Sequence, residues 1–475
     1  MPDILPLLLS LQAVLPKTVC GQLARIVMAM LVMPGNITQL GIARWTQKGG
    51  SYRSVHRFFH TDINWLEVTC LFFQRFVHHK ADTYLLVGDE TVLKKAGKGT
   101  YGLDWFFSSL AQKAVPGVAF FGLALVNVRK RQAYTLCAEQ VVRTEEEKEQ
   151  AKKNKQAKQA RQKANSKTDT PKKSPGRPKG SKNKNKADVV LSPELKRIME
   201  WAKSVLAALA GKVVVRYFVL DGHFGTHPAY QMVRQLDLHL VSKLHYNAAL
   251  FLLPTASELA TRPRLKYGAK LDYHALAQEY RVSCKQAGEY RQEIYQIACR
   301  HKDFAEVLNV VILVKTHLET NRRAHVVLFS SDGSLGALTL IDYYTLRFQI
   351  EFEFRDAKQH WGLSDFVCVT QTAVANSVGL AFFMGNLSAH LLEGLRVSFP
   401  EAGVSDLKSY YRGRRYVQET LKCLPESADE IVCARVMEQV CRLGLIHSGS
   451  EGAAKELSGG KLGFSAGGCG LEAAA

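Results

Sequence analysis

The chain reads as an α/β protein with an all-helical N-terminal region, and three patterns in its 475 residues lead there. Residues 1 to about 80 space apolar side chains three and four apart, the period of a packed helix. Lys212 to Gly225 (KVVVRYFVLDGHFG), a helical stretch from His227 to Leu236 and an apolar run from Leu238 to Lys243 alternate strand, helix, strand, which favours parallel pairing. Residues 247–335 mix polar and apolar alternation, as in IYQIACR and NVVILVKT, and read as a mainly β insertion.

Composition narrows the partners. Hydrophobic residues make up 47% of the chain, enough to bury more than one core. The net charge of +20 and a pI near 9.5 point to a polyanion. No apolar run reaches the roughly 18 residues of a membrane span, and LPLLLSLQAVL near the N-terminus lacks the basic flank of a signal peptide. Nucleic acid is therefore favoured over a membrane. The ten cysteines include no C-x-x-C pair, as expected for reduced thiols in a cytosolic protein.

Six segments follow in order: 1–80, 81–246, 247–335, 336–396, 397–446 and 447–475. In the first, Ile37 to His60 reads as a helix-turn-helix broken at Gly49-Gly50, with Arg44, Lys48, Arg53, His56 and Arg57 placed for phosphates; helical hairpins with a glycine turn are also common without DNA. In the second, TYLLVGDE (Thr83 to Glu90) is a strand ending in acid, and AFFGLALVNV and AYTLCAEQVV flank the turn RKRQ as a hairpin. Residues 143–187 then hold 16 Lys and Arg against 5 Asp and Glu, and almost no large apolar side chains, so packing is not expected there. GRPKG (Gly176 to Gly180) in this segment resembles an AT-hook, with Arg177 and Lys179 directed to a minor groove; a solvated basic linker has the same composition. A helix near Ser192 to Ala210 precedes the strand–helix–strand unit. Residues 370–396 read as a buried helix, 397–446 as a helical region and 447–475 as a disordered Gly/Ala/Ser-rich tail.

The stretch from Tyr344 to Lys358 (YTLRFQIEFEFRDAK) carries the chemistry. At about 100° per residue, Tyr344, Arg347, Glu351 and Lys358 fall within an arc of roughly 60°, Arg355 joins them, and Glu353 points the other way. One face thus offers a carboxylate flanked by cations and a phenol, suited to a divalent metal beside a phosphate; salt bridges between turns of an exposed helix have the same pattern. Two further acids, Asp89 and Asp221, each end an apolar strand, the edge where sites in open α/β sheets gather; taken singly, an Asp after an apolar run is as often just the first loop residue. With Glu351 they make three hard oxygen donors, fit to hold two Mg²⁺ ions about 3.5–4 Å apart.

Tyr344-x2-Arg347-x3-Glu351-x6-Lys358, preceded by Asp89-Glu90-Thr91 and Asp221-Gly222, resembles the signature of a group of bacterial insertion-sequence transposases in the DDE superfamily. The resemblance implies an RNase H-like catalytic core with a β-rich insertion between the second Asp and the Glu, plus an all-α N-terminal domain. It implies that Asp89, Asp221 and Glu351 bind two Mg²⁺ (or Mn²⁺) ions, and that Tyr344, Arg347 and Lys358 contact DNA, with Arg355 a further phosphate contact. It also implies cutting of double-stranded DNA at element ends, joining of the 3′-OH to target DNA, and action as a homodimer. The group's hairpin-forming members use a tryptophan in the β insertion. None of Trp45, Trp65, Trp105, Trp201 or Trp361 lies between 247 and 335. A catalytically silent DNA-binding protein of the same fold and a stand-alone metal-dependent nuclease are the competing readings.

Overall fold

The computed structural model describes residues 4–46, 50–108, 111–149, 153, 156, 189–423 and 429–447. Most of the basic 143–187 segment, with Arg177 and Lys179, lies outside these residues, as do Lys48 and the tail from 448.

Residues before the first strand form helices: α1 (Ile4–Leu9), α2 (Lys17–Val32), α3 (Gln39–Trp45), α4 (Tyr52–Phe59) and α5 (Trp65–Phe72). Thr38, Ser51 and Asn64 cap the last three, each accepting a backbone N–H of the first turn. Helix α4 turns Val55, Phe58 and Phe59 inward and leaves Arg53, His56 and Arg57 exposed.

Four strands follow: β1 (Tyr84–Lys94), β2 (Asp104–Ser108), β3 (Lys113–Asn127) and β4 (Gln132–Gln140). Then come α6 (Pro193–Leu209), β5 (Val215–Val219), α7 (His227–Arg234), β6 (His239–Leu244), β7 (Leu250–Leu252), α8 (Ala256–Thr261), β8 (Arg281–Ala287), β9 (Tyr290–His301), β10 (Val307–His317) and β11 (Arg323–Ser330). The chain ends with α9 (Ala337–Leu346), α10 (Phe348–His360), α11 (Gln371–Leu395), α12 (Val404–Leu421) and α13 (Glu430–Arg442).

One mixed sheet runs β2-β3-β1-β5-β6-β11-β10-β9-β7, with β4 added to β3 and β8 to β9. The pairs β1–β5 and β5–β6 are parallel and the others antiparallel. The β-rich stretch does not form a layer of its own: β11 pairs with β6, so its strands lengthen the sheet that holds β1 and β5. Helix α6 covers one sheet face, where Trp201 stacks on Phe121 at 6.0 Å. Helices α10 and α11 cover the other, with Phe354 against Phe382.

Helix α11 is long and apolar enough to cross a membrane by composition, yet it is the buried centre of the fold. Its polar side chains are bonded inside the protein. Asn376 accepts from Trp65 Nε1 at 2.9 Å and donates to the carbonyls of Phe59 and Thr61, and Asn386 donates to Thr135 O at 2.7 Å. These bonds pair the Asn376 amide and the Asn386 amide nitrogen, groups that hydrocarbon would leave without partners.

Two local expectations are corrected. Asp89 does not end its strand: β1 continues to Lys94 because β3 pairs with it along its whole length, while the parallel pairing with β5 stops at Val87↔Val219. The helix from Tyr344 to Lys358 is interrupted at Arg347, where Arg347 N bonds Tyr344 O at 3.3 Å and Ile350 N bonds Arg347 O at 3.2 Å, the tighter i to i+3 pattern. Arg347 keeps right-handed helical angles, φ −52° and ψ −37°, so the turn tightens without breaking.

Candidate acid cluster and DNA-facing site

Register brings two acids together. Val87 pairs with Val219 on parallel β1 and β5, and Asp89 and Asp221 each lie two residues further on. Asp221 caps a short 3-10 turn, accepting His223 N at 3.1 Å on Oδ1, and its carbonyl accepts from Ser242 Oγ at 2.7 Å. Glycines let that turn lie flat on β6: a Cβ at Gly225 would stand 2.1 Å from Lys243 O.

The third acid arrives on α10. Gly122 is the cross-strand partner of Asp89, and a Cβ there would come within 2.8 Å of Phe354. The bare backbone at Gly122 lets Phe354 and Ile350 seat α10 directly over β3, which sets Glu351 beside Asp89. Arg347 joins the two. Its Nη1 donates to Asp89 Oδ2 and its Nη2 to Glu351 Oε1, both at 2.7 Å, and its side chain is only 9% exposed.

The electrostatics follow. Burial pushes the Asp89 carboxyl up and Asp221 and Glu351 add to the rise, while Arg347 and the Glu90 N–H oppose it. Burial works against the Arg347 charge, but Asp89 and Glu351 outweigh it and hold the guanidinium above its usual range. Asp89 thus faces one cation and two further carboxylates, an excess of negative charge. Hard oxygen donors with uncompensated charge fit Mg²⁺ or Mn²⁺. Among the described residues, no three His, Cys, Asp or Glu side chains already stand where they could hold an ion. The guanidinium holds two of these carboxylates instead.

Around the cluster, Tyr344 is half-buried and its phenol is raised, chiefly by burial, with Arg347 opposing. Lys358 is half-buried, and burial alone lowers its pKa; no anionic partner faces it among the described residues. A half-buried cation in that state gains by meeting an anion. Arg355 is engaged next door, with Nε donating to Asp356 at 3.0 Å and the guanidinium over Phe352. Arg44, Arg53 and Arg57 are exposed on α3 and α4. Of the two lysines after the first acid, Lys94 is exposed, but Lys95 is buried, donating to Phe366 O at 2.7 Å with its Nζ over the Phe366 ring. His223 lies 3.7 Å from Glu194, a pairing that raises its pKa.

Sequence reasoning missed Lys243. It lies two residues past Val241, the register partner of Val219, and so sits level with Asp221 on the adjoining strand. Its Cε would stand 3.0 Å from a Cβ at Gly222, and its side chain is exposed. Only the β5–β6 register reveals this neighbour.

The family model of the DDE superfamily endonucleases matches residues 11–303. The chain belongs to that family. No curated protein matches it. The DDE match spans Asp89 and Asp221 and stops short of Glu351, so the bridge through Arg347 is what ties the third acid to Asp89. A DDE endonuclease acts on DNA, in keeping with the surplus of cations.

Proposed function

We propose that this DDE family member is a transposase that cuts DNA at insertion-sequence ends and joins the resulting 3′-OH to target DNA. The observation that carries the reading is the Asp89–Arg347–Glu351 bridge beside Asp221. The strand arrangement β4-β3-β1-β5-β6, antiparallel through the first three and parallel through the last, supports an RNase H-like core.

In this reading Asp89, Asp221 and Glu351 hold two Mg²⁺ or Mn²⁺ ions. When bound, such ions polarise the scissile phosphate and activate the attacking oxygen. The chain's own residues position the strand. With Asp89 and Glu351 given over to the ions, the flat fork of Arg347 is released to match two phosphate oxygens, Lys358 supplies a cation that faces no anion among the described residues, and Tyr344 offers a hydroxyl from the same face. Arg44, Arg53 and Arg57 on α3 and α4 grip the duplex by its phosphates, and Arg177 and Lys179 in the basic segment extend that grip. The enzyme acts on two ends as a homodimer, in the bacterial cytoplasm at the nucleoid.

Incubation with Mg²⁺, supercoiled plasmid and a cognate element end tests the reading. Excision with joining is the expected outcome. Cleavage without joining identifies a nuclease, and binding without cleavage identifies a silent DNA-binding relative.

A further inference from the structure

Helices α1, α2, α3 and α12 line a groove of about 570 Å³, to which neither the sheet nor α10 contributes a residue. The α2 wall is a single stripe. Gly21, Arg25, Met28 and Val32 stand at i, i+4, i+7 and i+11, within an arc of about 60°. The stripe is about 16 Å long at 1.5 Å per residue. Leu5 and Leu9 of α1 extend its apolar floor, and with Met28 they are between a third and a half exposed. Helix α12 supplies Arg414 and Arg415, and Arg412 beside them donates to Val32 O at 2.8 Å, tying α12 to the end of α2.

Two features say what kind of occupant the groove fits. The first is Gly21. A glycine inside a helix is destabilising relative to alanine, and close approach of another part of the chain does not account for it here: a Cβ at Gly21 would meet no atom within 4 Å. The bare backbone leaves room for a further helix to lie close against α2. The second is charge. Arg25 and Arg414 pair with no carboxylate among the described residues, while Arg415 bonds Glu419 at 3.3 Å. DNA phosphates would use these arginines but not the apolar floor between the helices. A helix with one apolar and one acidic face uses both.

We infer that this groove receives an acidic amphipathic helix of a partner protein, about three turns long, seated over Gly21 with its carboxylates on Arg25 and Arg414. The inference stands apart from the DNA-cutting reading, because peptide binding is measured without DNA or divalent ion. The probe is a fluorescein-labelled synthetic helix with Leu at i, i+3, i+4 and i+7 and Glu elsewhere. It is titrated with the full chain and followed by fluorescence anisotropy, beside the same peptide with Lys in place of Glu. The wild type is expected to bind the Glu peptide and not the Lys peptide. Gly21→Phe, whose ring enters the open space, is expected to lose at least about tenfold in peptide affinity, with thermal midpoint and duplex-DNA affinity unchanged. Arg25→Glu with Arg414→Glu is expected to lose the Glu peptide and gain the Lys peptide. No binding of the Glu peptide, equal binding of the two peptides, or undiminished binding by Gly21→Phe overturns the inference. So does capture of phosphatidylglycerol vesicles by the wild type and not by Gly21→Phe, with the Glu peptide left unbound, which assigns the groove to lipid. A smaller species for Gly21→Phe than for the wild type in light scattering overturns it as well, assigning the groove to a second copy of the chain.

Discussion

Arg347 Nη1 stands 2.7 Å from Asp89 Oδ2, and its other terminal nitrogen is as close to Glu351. A buried guanidinium thus holds two of the three acids that the DDE reading assigns to metal. Arg347→Gln removes that charge from between them. Without metal or DNA the variant is expected to unfold more easily, by roughly 2–3 kcal/mol, a buried-pair loss discounted for the half-exposed Glu351. Its affinity for Mn²⁺ is expected to rise, because a competing cation is gone, while its affinity for DNA falls. Calorimetric titration with Mn²⁺ and chemical denaturation check both. Unchanged Mn²⁺ affinity would show that the guanidinium and the ion do not compete.

Gly122 sets how close α10 approaches the sheet. A Cβ there meets Phe354 at 2.8 Å, so Gly122→Val has to displace the helix that carries Glu351. The expected cost is about 1–3 kcal/mol of stability, with a loss of cleavage larger than Gly122→Ala produces. Thermal melting and a plasmid cleavage assay on both variants separate misplacement from unfolding.

Lys243 stands level with Asp221 and is exposed. Lys243→Met is expected to weaken DNA binding evenly across sequences and to lower the salt slope of binding by about one. Stability should change by less than about 0.5 kcal/mol. A salt titration of the binding constant checks it; an unaltered slope excludes a phosphate contact.

Lys408 gives a pH dependence of stability. It is buried, donates to His360 O at 3.2 Å, and burial lowers its pKa to about 8. The unfolded value is about 10.4. Between these values the unfolded chain binds more protons than the folded one, so this group makes stability rise with pH from about 8 to about 10.4 and leaves its full penalty in place below 8. Lys408→Met should remove that slope and stabilise the protein at pH 7 by roughly 1–3 kcal/mol. Urea unfolding of both proteins at pH 7 and pH 9.5 measures the difference.

Local patterns made much of the fold legible. The hairpin of β3 and β4 and the β5–α7–β6 unit follow from apolar runs and their turn residues, and Arg347 and Glu351 meet because they stand four apart on helical backbone. Non-local effects were hidden. The length of β1 depends on its antiparallel partner β3, a pairing that continues after the parallel one ends. The merging of the β-rich stretch into the main sheet depends on β11 choosing β6. Gly122 and Lys243 acquire meaning only from residues far along the chain. The tightened turn at Arg347 accompanies its hold on Asp89, 258 positions away.

The direct test of the acid cluster is cleavage of an element-end DNA by Asp221→Ala in Mg²⁺, with DNA affinity measured on the same preparation. Cleavage is expected to fall by at least about a thousandfold while affinity stays within about twofold. Cleavage and strand joining at the wild-type rate would contradict the assignment of Asp89, Asp221 and Glu351 to the reaction.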